Sequence, residues 1–141
     1  MSGKTFVDTN VLVYAQDAAD PNKQQIARDV LRTHADDLVF SAQVLSEFYV
    51  VVTRRLAKPM DPQAAATAVD HLSEHAIVAT DEHLVRDGIA LSQAAQLSFW
   101  DGLIIAAARA GGCDSILTED LATGSTIGGV RIVNPFSGES A

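Results

Sequence analysis

Thr5-Phe6-Val7-Asp8-Thr9-Asn10-Val11-Leu12-Val13-Tyr14-Ala15-Gln16 sets the pattern that the rest of the chain repeats. A strand-like start, Thr5–Val7, meets an acid and two small polar residues, and Val11–Gln16 continues as an apolar helix-like turn. Asp20-Pro21 then supplies an N-cap acid with proline at the first helical position, and the helix is expected to run to about His34. Leu38–Phe40 reads as a second strand, with Ser41 capping a helix through Arg54. Asp61-Pro62 repeats the start signal and opens a helix to about His75, after which Ile77–Ala79 is a third strand. A helix from Asp81 to about Ala95 follows, then a nearly all-apolar one from Phe99 to Ala110 that stops at Gly111-Gly112. Ser115–Leu117 and Val130–Val133 complete the strands, and Thr123–Gly129 between them reads as a mobile loop near the site. Short strands alternating with helices imply an α/β fold: an open parallel sheet sandwiched between helices.

Composition sets limits around that fold. The chain has 141 residues, 48% of them hydrophobic, enough for one domain over residues 1–141 with a single core. It contains no repeat or linker, and no apolar run of about 18 residues or more, so no membrane span is expected. Met1-Ser2-Gly3-Lys4 leads straight into strand-like sequence, so no signal peptide is expected either. Cys113 is the one cysteine and reads as a packing residue in a reducing cytoplasm. A net charge of -8, with 18 acids against 10 bases, weighs against nucleic-acid binding unless some acids converge on metal ions.

Four acids fit that exception. In open α/β sheets ligands lie beyond the carboxyl ends of strands, where Asp8 and Glu119-Asp120 stand. Taken singly, each reads as an ordinary turn or cap acid. Asp101 is the only polar side chain between Phe99 and Ala108, on a helix whose all-round apolarity implies burial. A carboxylate there is costly unless paired, capped or metal-bound, although a first-turn position favours negative charge. Glu47 lies on the flank of the stripe Val44, Leu45, Phe48, Val51 and Val52, in a helix starting at the same sheet edge as Asp8. Converging carboxylates repel, and a divalent cation removes the repulsion. Oxygen-only donors suit Mg²⁺ or Mn²⁺ and phosphodiester hydrolysis.

These residues carry a family resemblance. Phe6-Val7-Asp8-Thr9-Asn10-Val11-Leu12, Ser46-Glu47, Ser98-Phe99-Trp100-Asp101, Leu117-Thr118-Glu119-Asp120-Leu121 and Val133-Asn134-Pro135-Phe136 resemble, in order and spacing, a PIN domain, and more narrowly the VapC toxins. The resemblance implies that Asp8, Glu47, Asp101 and Asp120 form the catalytic quartet that holds Mg²⁺ or Mn²⁺, with Asn10 and Thr118 orienting it. Glu119 is the other choice for the place given to Asp120. Gly102 stands where the family usually has alanine, a change expected to matter little. The resemblance further implies an endoribonuclease acting on RNA, a homodimer, and a VapB-like antitoxin. The helices opening at Asp20 and Asp61 are expected to wall the antitoxin groove.

Competing signals are weaker. Ser2-Gly3-Lys4-Thr5 resembles the end of a phosphate-binding loop but lacks the upstream strand and glycine. His71-Leu72-Ser73-Glu74-His75 fits a zinc-peptidase pattern that puts both histidines on one helix face, though it reads better as solvated. Arg54, Arg55 and Lys58 complement a helix dipole or contact phosphate, with Lys23 and Arg86 weaker candidates. Trp100 reads as core, with base stacking as the alternative. Against the ribonuclease stand a catalytically silent RNA- or protein-binding module, which has no use for four acids, and a phosphotransfer domain. The latter usually pairs a second acid with the first, whereas no acid follows Asp8 before Asp17.

Overall fold

A computed structural model describes residues 3–137; Met1 and Ser2, where the phosphate-loop match begins, and residues 138–141 of the expected domain lie outside the described residues. The strands are β1 (Lys4–Val7), β2 (Leu38–Ser41), β3 (Ala76–Val78), β4 (Cys113–Leu117), β5 (Thr126–Ile127) and β6 (Val130–Val133). The helices are α1 (Thr9–Tyr14), α2 (Pro21–Thr33), α3 (Ala42–Arg54), α4 (Pro62–Leu72), α5 (Glu82–Ala95) and α6 (Phe99–Ala110). Side-chain oxygens of Asp20, Ser41, Asp61, Asp81 and Ser98 accept backbone N–H groups at the starts of five of these helices, so the start signals act as capping chemistry requires.

The sheet order is β3-β2-β1-β4-β6-β5. β1 pairs in parallel with β2 and β4, β2 with β3, and β4 with β6. The chain steps outward from β1 to β3, then returns to β4 on the other side of β1. Because such crossovers are right-handed, α1–α4 cover one face and α5 and α6 the other. Phe6, Phe40, Ile116 and Ile132, from four adjacent strands, are fully buried between these layers. The reversal of direction leaves a crevice at the carboxyl ends of β1 and β4.

The sheet is parallel between helices as expected, except that the two-residue β5 runs antiparallel to β6 at one edge. Four further expectations need correction. Thr123–Gly129 is consequently no free loop. Gly124 and Ser125 exchange backbone hydrogen bonds with Ile132, and Gly128 and Gly129 form the hairpin turn with φ of 59° and 84°, a left-handed pair that glycine adopts without strain. α4 ends at Leu72, not about His75, so the two histidines do not share a helix face. β3 lies one residue earlier than expected.

Gly102 is the fourth correction, because it does matter. A Cβ there would lie 2.4 Å from the carbonyl oxygen of Gly88 on α5, and one on Gly88 would lie 3.0 Å from the Leu103 Cα. α5 and α6 therefore pack backbone to backbone, closer than an alanine in α6 allows.

Candidate active site

Asp8 follows β1 and caps α1. Its backbone N–H donates to the Leu117 carbonyl (3.0 Å), extending the β1–β4 pairing by one step. Its carboxylate accepts from the Thr9 N–H (2.7 Å) and the Thr118 hydroxyl (2.8 Å), and the residue is 7% exposed. Thr118, just past β4, is fully buried, and its Oγ1 accepts from the Asp120 N–H (3.1 Å) and more distantly from Asn10 Nδ2 (3.5 Å). Asn10 Oδ1 accepts the Glu119 N–H (3.2 Å). Asn10 and Thr118 thus join the two strand ends through their side chains.

Burial pushes the Asp8 carboxyl up to about 6. The Thr118 and Thr9 hydrogen bonds oppose that rise, and the charges of Asp120 and Glu47 add to it. Asp120 and Glu47 therefore each lie within electrostatic reach of Asp8. The carboxyl at the crevice is held against its own ionisation, a state that a cation would relieve.

Glu119 and Asp120 face different partners. Glu119 accepts from Tyr14 Oη (2.8 Å) and pairs with the Lys23 ammonium, which also donates to Tyr14 Oη (3.2 Å). Lys23 Nζ sits 4.6 Å from the Tyr14 ring centroid, and Phe136 meets Tyr14 edge-on at 4.9 Å. The Glu119 hydrogen bond raises the Lys23 pKa, and burial followed by Glu119 raises that of Tyr14. Glu119 is committed to this cluster, whereas among the described residues the Asp120 carboxylate accepts from no side chain. Tyr14 was not singled out from the sequence, yet it lies four residues after Asn10 on one helix face, and both contact Glu119.

The opposite side of the crevice is looser. Glu47 is exposed on α3; it accepts from Gln43 Nε2 (2.6 Å) one helical turn back and from Thr9 Oγ1 (3.5 Å). α6 runs back toward the amino edge of the sheet, where Gly111 turns the chain into β4. Its twelve residues span about 18 Å, enough to carry the first turn to the carboxyl edge. Asp101 stands in that turn, with its N–H donating to Ser98 Oγ (3.1 Å). Its half-buried carboxylate is joined to none of the other three acids. The expected burial of Asp101 therefore does not hold, because only Gly102–Ala108 are enclosed. Trp100 is likewise not core: it is 63% exposed and lines an open cleft of about 490 Å³ with Gln43, Ser46 and Glu47.

Among the described residues no group of three His, Cys, Asp or Glu side chains stands ready to hold a metal ion. The donor set nevertheless fits a hard divalent cation: hydroxyl-supported carboxylates, with no histidine or thiol among them. His71 instead pairs with Glu74 (3.4 Å), and His75 packs edge-on against Phe40. Cys113 is buried and its thiol is pushed up to about 12 by desolvation, in keeping with packing. No described helix is long and apolar enough to cross a membrane.

A family model described as "PIN domain" matches residues 5–122. No curated protein matches the chain significantly in sequence. Among solved structures, a toxin–antitoxin complex from Klebsiella pneumoniae contains a similar chain, with TM-score 0.70, 20% identity, and coverage of 94% of this chain and 98% of that one. FitAB bound to a DNA fragment contains another, with TM-score 0.69, 18% identity and coverage of 96% and 98%. Mycobacterium tuberculosis VapC20, a toxin that cleaves the sarcin–ricin loop, is similar with TM-score 0.65, 19% identity and coverage of 83% and 90%. At such identities the likeness is one of fold.

Proposed function

Since the chain belongs to the PIN-domain family, we propose that it is a metal-dependent endoribonuclease, the single-domain toxin of a VapBC-type pair, working in the cytoplasm as a homodimer. One observation carries the reading: a buried carboxylate, Asp8, at the strand-order reversal of the sheet, with its pKa raised to about 6 and the charges of Asp120 and Glu47 upon it. Such strain serves no purpose in a module that only binds.

Asp8, Asp101 and Asp120, with Glu47 as a further ligand or water-orienting base, are the residues that would hold Mg²⁺ or Mn²⁺. When bound, the ion supplies positive charge to a phosphodiester oxygen and acidifies a water. The chain's own part is positional. Thr118 and the Thr9 N–H fix both oxygens of Asp8, and each oxygen keeps a further lone pair for a ligand. Asn10 holds the Thr118–Glu119–Asp120 turn, and the Lys23–Tyr14 cluster draws Glu119 out of the way. Asp120 is therefore the member of that pair assigned to the site.

The antitoxin is assigned to the cleft between α1, α2, α3 and α4, of about 270 Å³, whose apolar lining includes Leu12, Leu31, Phe48, Ala68 and Leu72. Leu31 of α2, which opens after Asp20, and Ala68 and Leu72 of α4, which opens after Asp61, line this cleft. The presence of toxin–antitoxin complexes among the structural neighbours supports such a partner.

The test is cleavage of a total-RNA pool by purified, partner-free protein, with Mg²⁺ or Mn²⁺, with chelator, and with Asp8→Asn. Discrete cuts that require metal and vanish in the variant are expected. Metal-independent cuts ending in cyclic phosphate, or wild-type cleavage by folded Asp8→Asn protein, would sink the assignment.

A further inference from the structure

Lys23 occupies a poor place for a cation. It stands in the first turn of α2, with its N–H donating to Asp20 Oδ1 (3.1 Å), where the helix dipole favours negative charge. Its ammonium nevertheless has a defined seat, 4.6 Å from the Tyr14 ring centroid and 5.5 Å from that of Phe136. Both distances are within the attraction between a cation and a ring face. Phe136 is held in turn. Its N–H donates to Asn134 Oδ1 (2.8 Å), and the Asn134 N–H donates to Thr123 Oγ1 (3.1 Å). The Val133 carbonyl accepts the Thr118 N–H (3.0 Å), so the turn after β6 is tied to the strand end that carries Glu119 and Asp120.

That seat decides what Lys23 can do. Tyr14 Oη donates to one oxygen of Glu119 (2.8 Å) and the Lys23 ammonium to the other. The side chains of the ion pair are 31% and 27% exposed, and a pair so open to water adds little to stability. Four separate segments nonetheless meet on this one carboxylate. Glu119 lies between Thr118, whose hydroxyl holds Asp8, and Asp120. Its Cα is about 3.8 Å from that of each neighbour, so it is the next carboxylate that a cation in the crevice would recruit if nothing held it.

We propose that Lys23 is a positioning residue that sets the ion preference of the crevice: seated on Tyr14 and Phe136, it keeps Glu119 from becoming a further metal ligand. The assignment rests on the metal-dependent reading of the site. Mg²⁺ is held by one or two carboxylates and keeps several waters, whereas Ca²⁺ takes about six to eight oxygen ligands. An added carboxylate therefore favours the larger ion, and its exclusion leaves coordination positions for water and a phosphate oxygen. A direct phosphate contact suits Lys23 less well, because Glu119, Tyr14 and two rings already surround its ammonium.

The test is calorimetric titration of purified, partner-free protein with Mg²⁺ and with Ca²⁺, without RNA. Lys23→Ala should raise the ratio of Ca²⁺ to Mg²⁺ affinity about tenfold, and Lys23→Arg should keep the wild-type ratio. Adding Glu119→Gln to Lys23→Ala should restore that ratio, because Glu119 is the group released. Lys23→Met, which keeps the aliphatic stem, is read beside Lys23→Ala so that a folding defect does not stand for the effect. Phe136→Ala, which unseats the ammonium but leaves its charge, should shift the ratio the same way by a smaller factor; no shift there removes Phe136 from the assignment. The ratio decides, since loss of one positive charge strengthens the binding of both ions alike. An equal gain for the two ions, or a shift that persists once Glu119 is glutamine, overturns the positioning role. Folded wild type that binds neither ion refutes the metal site and this role with it, whereas metal-dependent cleavage with an unmoved ratio refutes the role alone.

Discussion

The two sides of the crevice are made from the same kinds of residue and behave differently. On one, Asp8 and Thr118 extend paired strands, both are buried, and every oxygen of that carboxylate is already engaged. On the other, Glu47 is exposed on α3 and among the described residues accepts only from Gln43 and Thr9, while Asp101, in the first turn of α6, is half-buried. A side chain anchored at a strand end inherits the rigidity of the sheet. One carried by a helix flank moves with the helix and stays available to ligands.

Asp8→Asn should produce the largest break in that contrast: metal-dependent cleavage falls by more than about 100-fold, measured on the RNA fragment that wild type cuts best. The same variant reverses sign in stability. Because the folded protein holds the Asp8 proton to about 6 against an ordinary value of 3.8, ionisation of Asp8 opposes folding by up to about 3 kcal/mol above pH 6. Metal-free Asp8→Asn should therefore melt higher than wild type at pH 7.5. The gap closes as pH falls through 6 toward 4, where wild-type Asp8 is protonated. Thermal melts across that range decide the point; a pH-independent gap would show that the carboxylate is not strained.

Thr118→Val removes the hydroxyl that serves Asp8 and Asp120 together, and Mn²⁺ affinity by calorimetry should fall about 10- to 100-fold. Gly102→Ala attacks the helix side through packing. Its Cβ meets the Gly88 carbonyl oxygen, so α5 and α6 must separate, at about 1–3 kcal/mol in chemical denaturation. A neutral result would mean that the helix pair is more yielding than its contacts imply. The smallest effect belongs to Tyr14→Phe, which removes one hydrogen bond from Glu119 and should cost about 1 kcal/mol of stability. If Glu119 is then freed to compete with Asp120, Mn²⁺ affinity changes as well, and the separation of their roles is weaker than drawn here.

Most of the fold was legible because its signals are local. Asp20-Pro21, Asp61-Pro62 and Ser98 cap helices through side chains two or three residues from the groups they satisfy. Phe6-Val7, Leu38–Phe40 and Ile116-Leu117 are consecutive apolar residues because both faces of the sheet are covered there. β5 was missed because Thr126-Ile127 has no periodicity to read at two residues, and only its pairing with β6 makes it a strand. Trp100 was read as core because apolarity is its only sequence signal, and burial depends on what packs opposite. The placement of Gly102 against Gly88 was invisible for the same reason, since closeness of two helices is a property of neither alone.

By itself the sequence determined the alternation of strands and helices, the capped starts, and which acids follow strand ends, all consequences of hydrogen bonding and periodicity within a few residues. Only the tertiary structure decided that Asp8 is buried while Asp101 is half-buried, that Glu119 is drawn aside by Lys23 and Tyr14, and that the indole beside Asp101 faces water. Desolvation, ion pairing and exposure are set by groups far apart in the chain, such as Asp8 and Thr118, and no local pattern records which of them will meet.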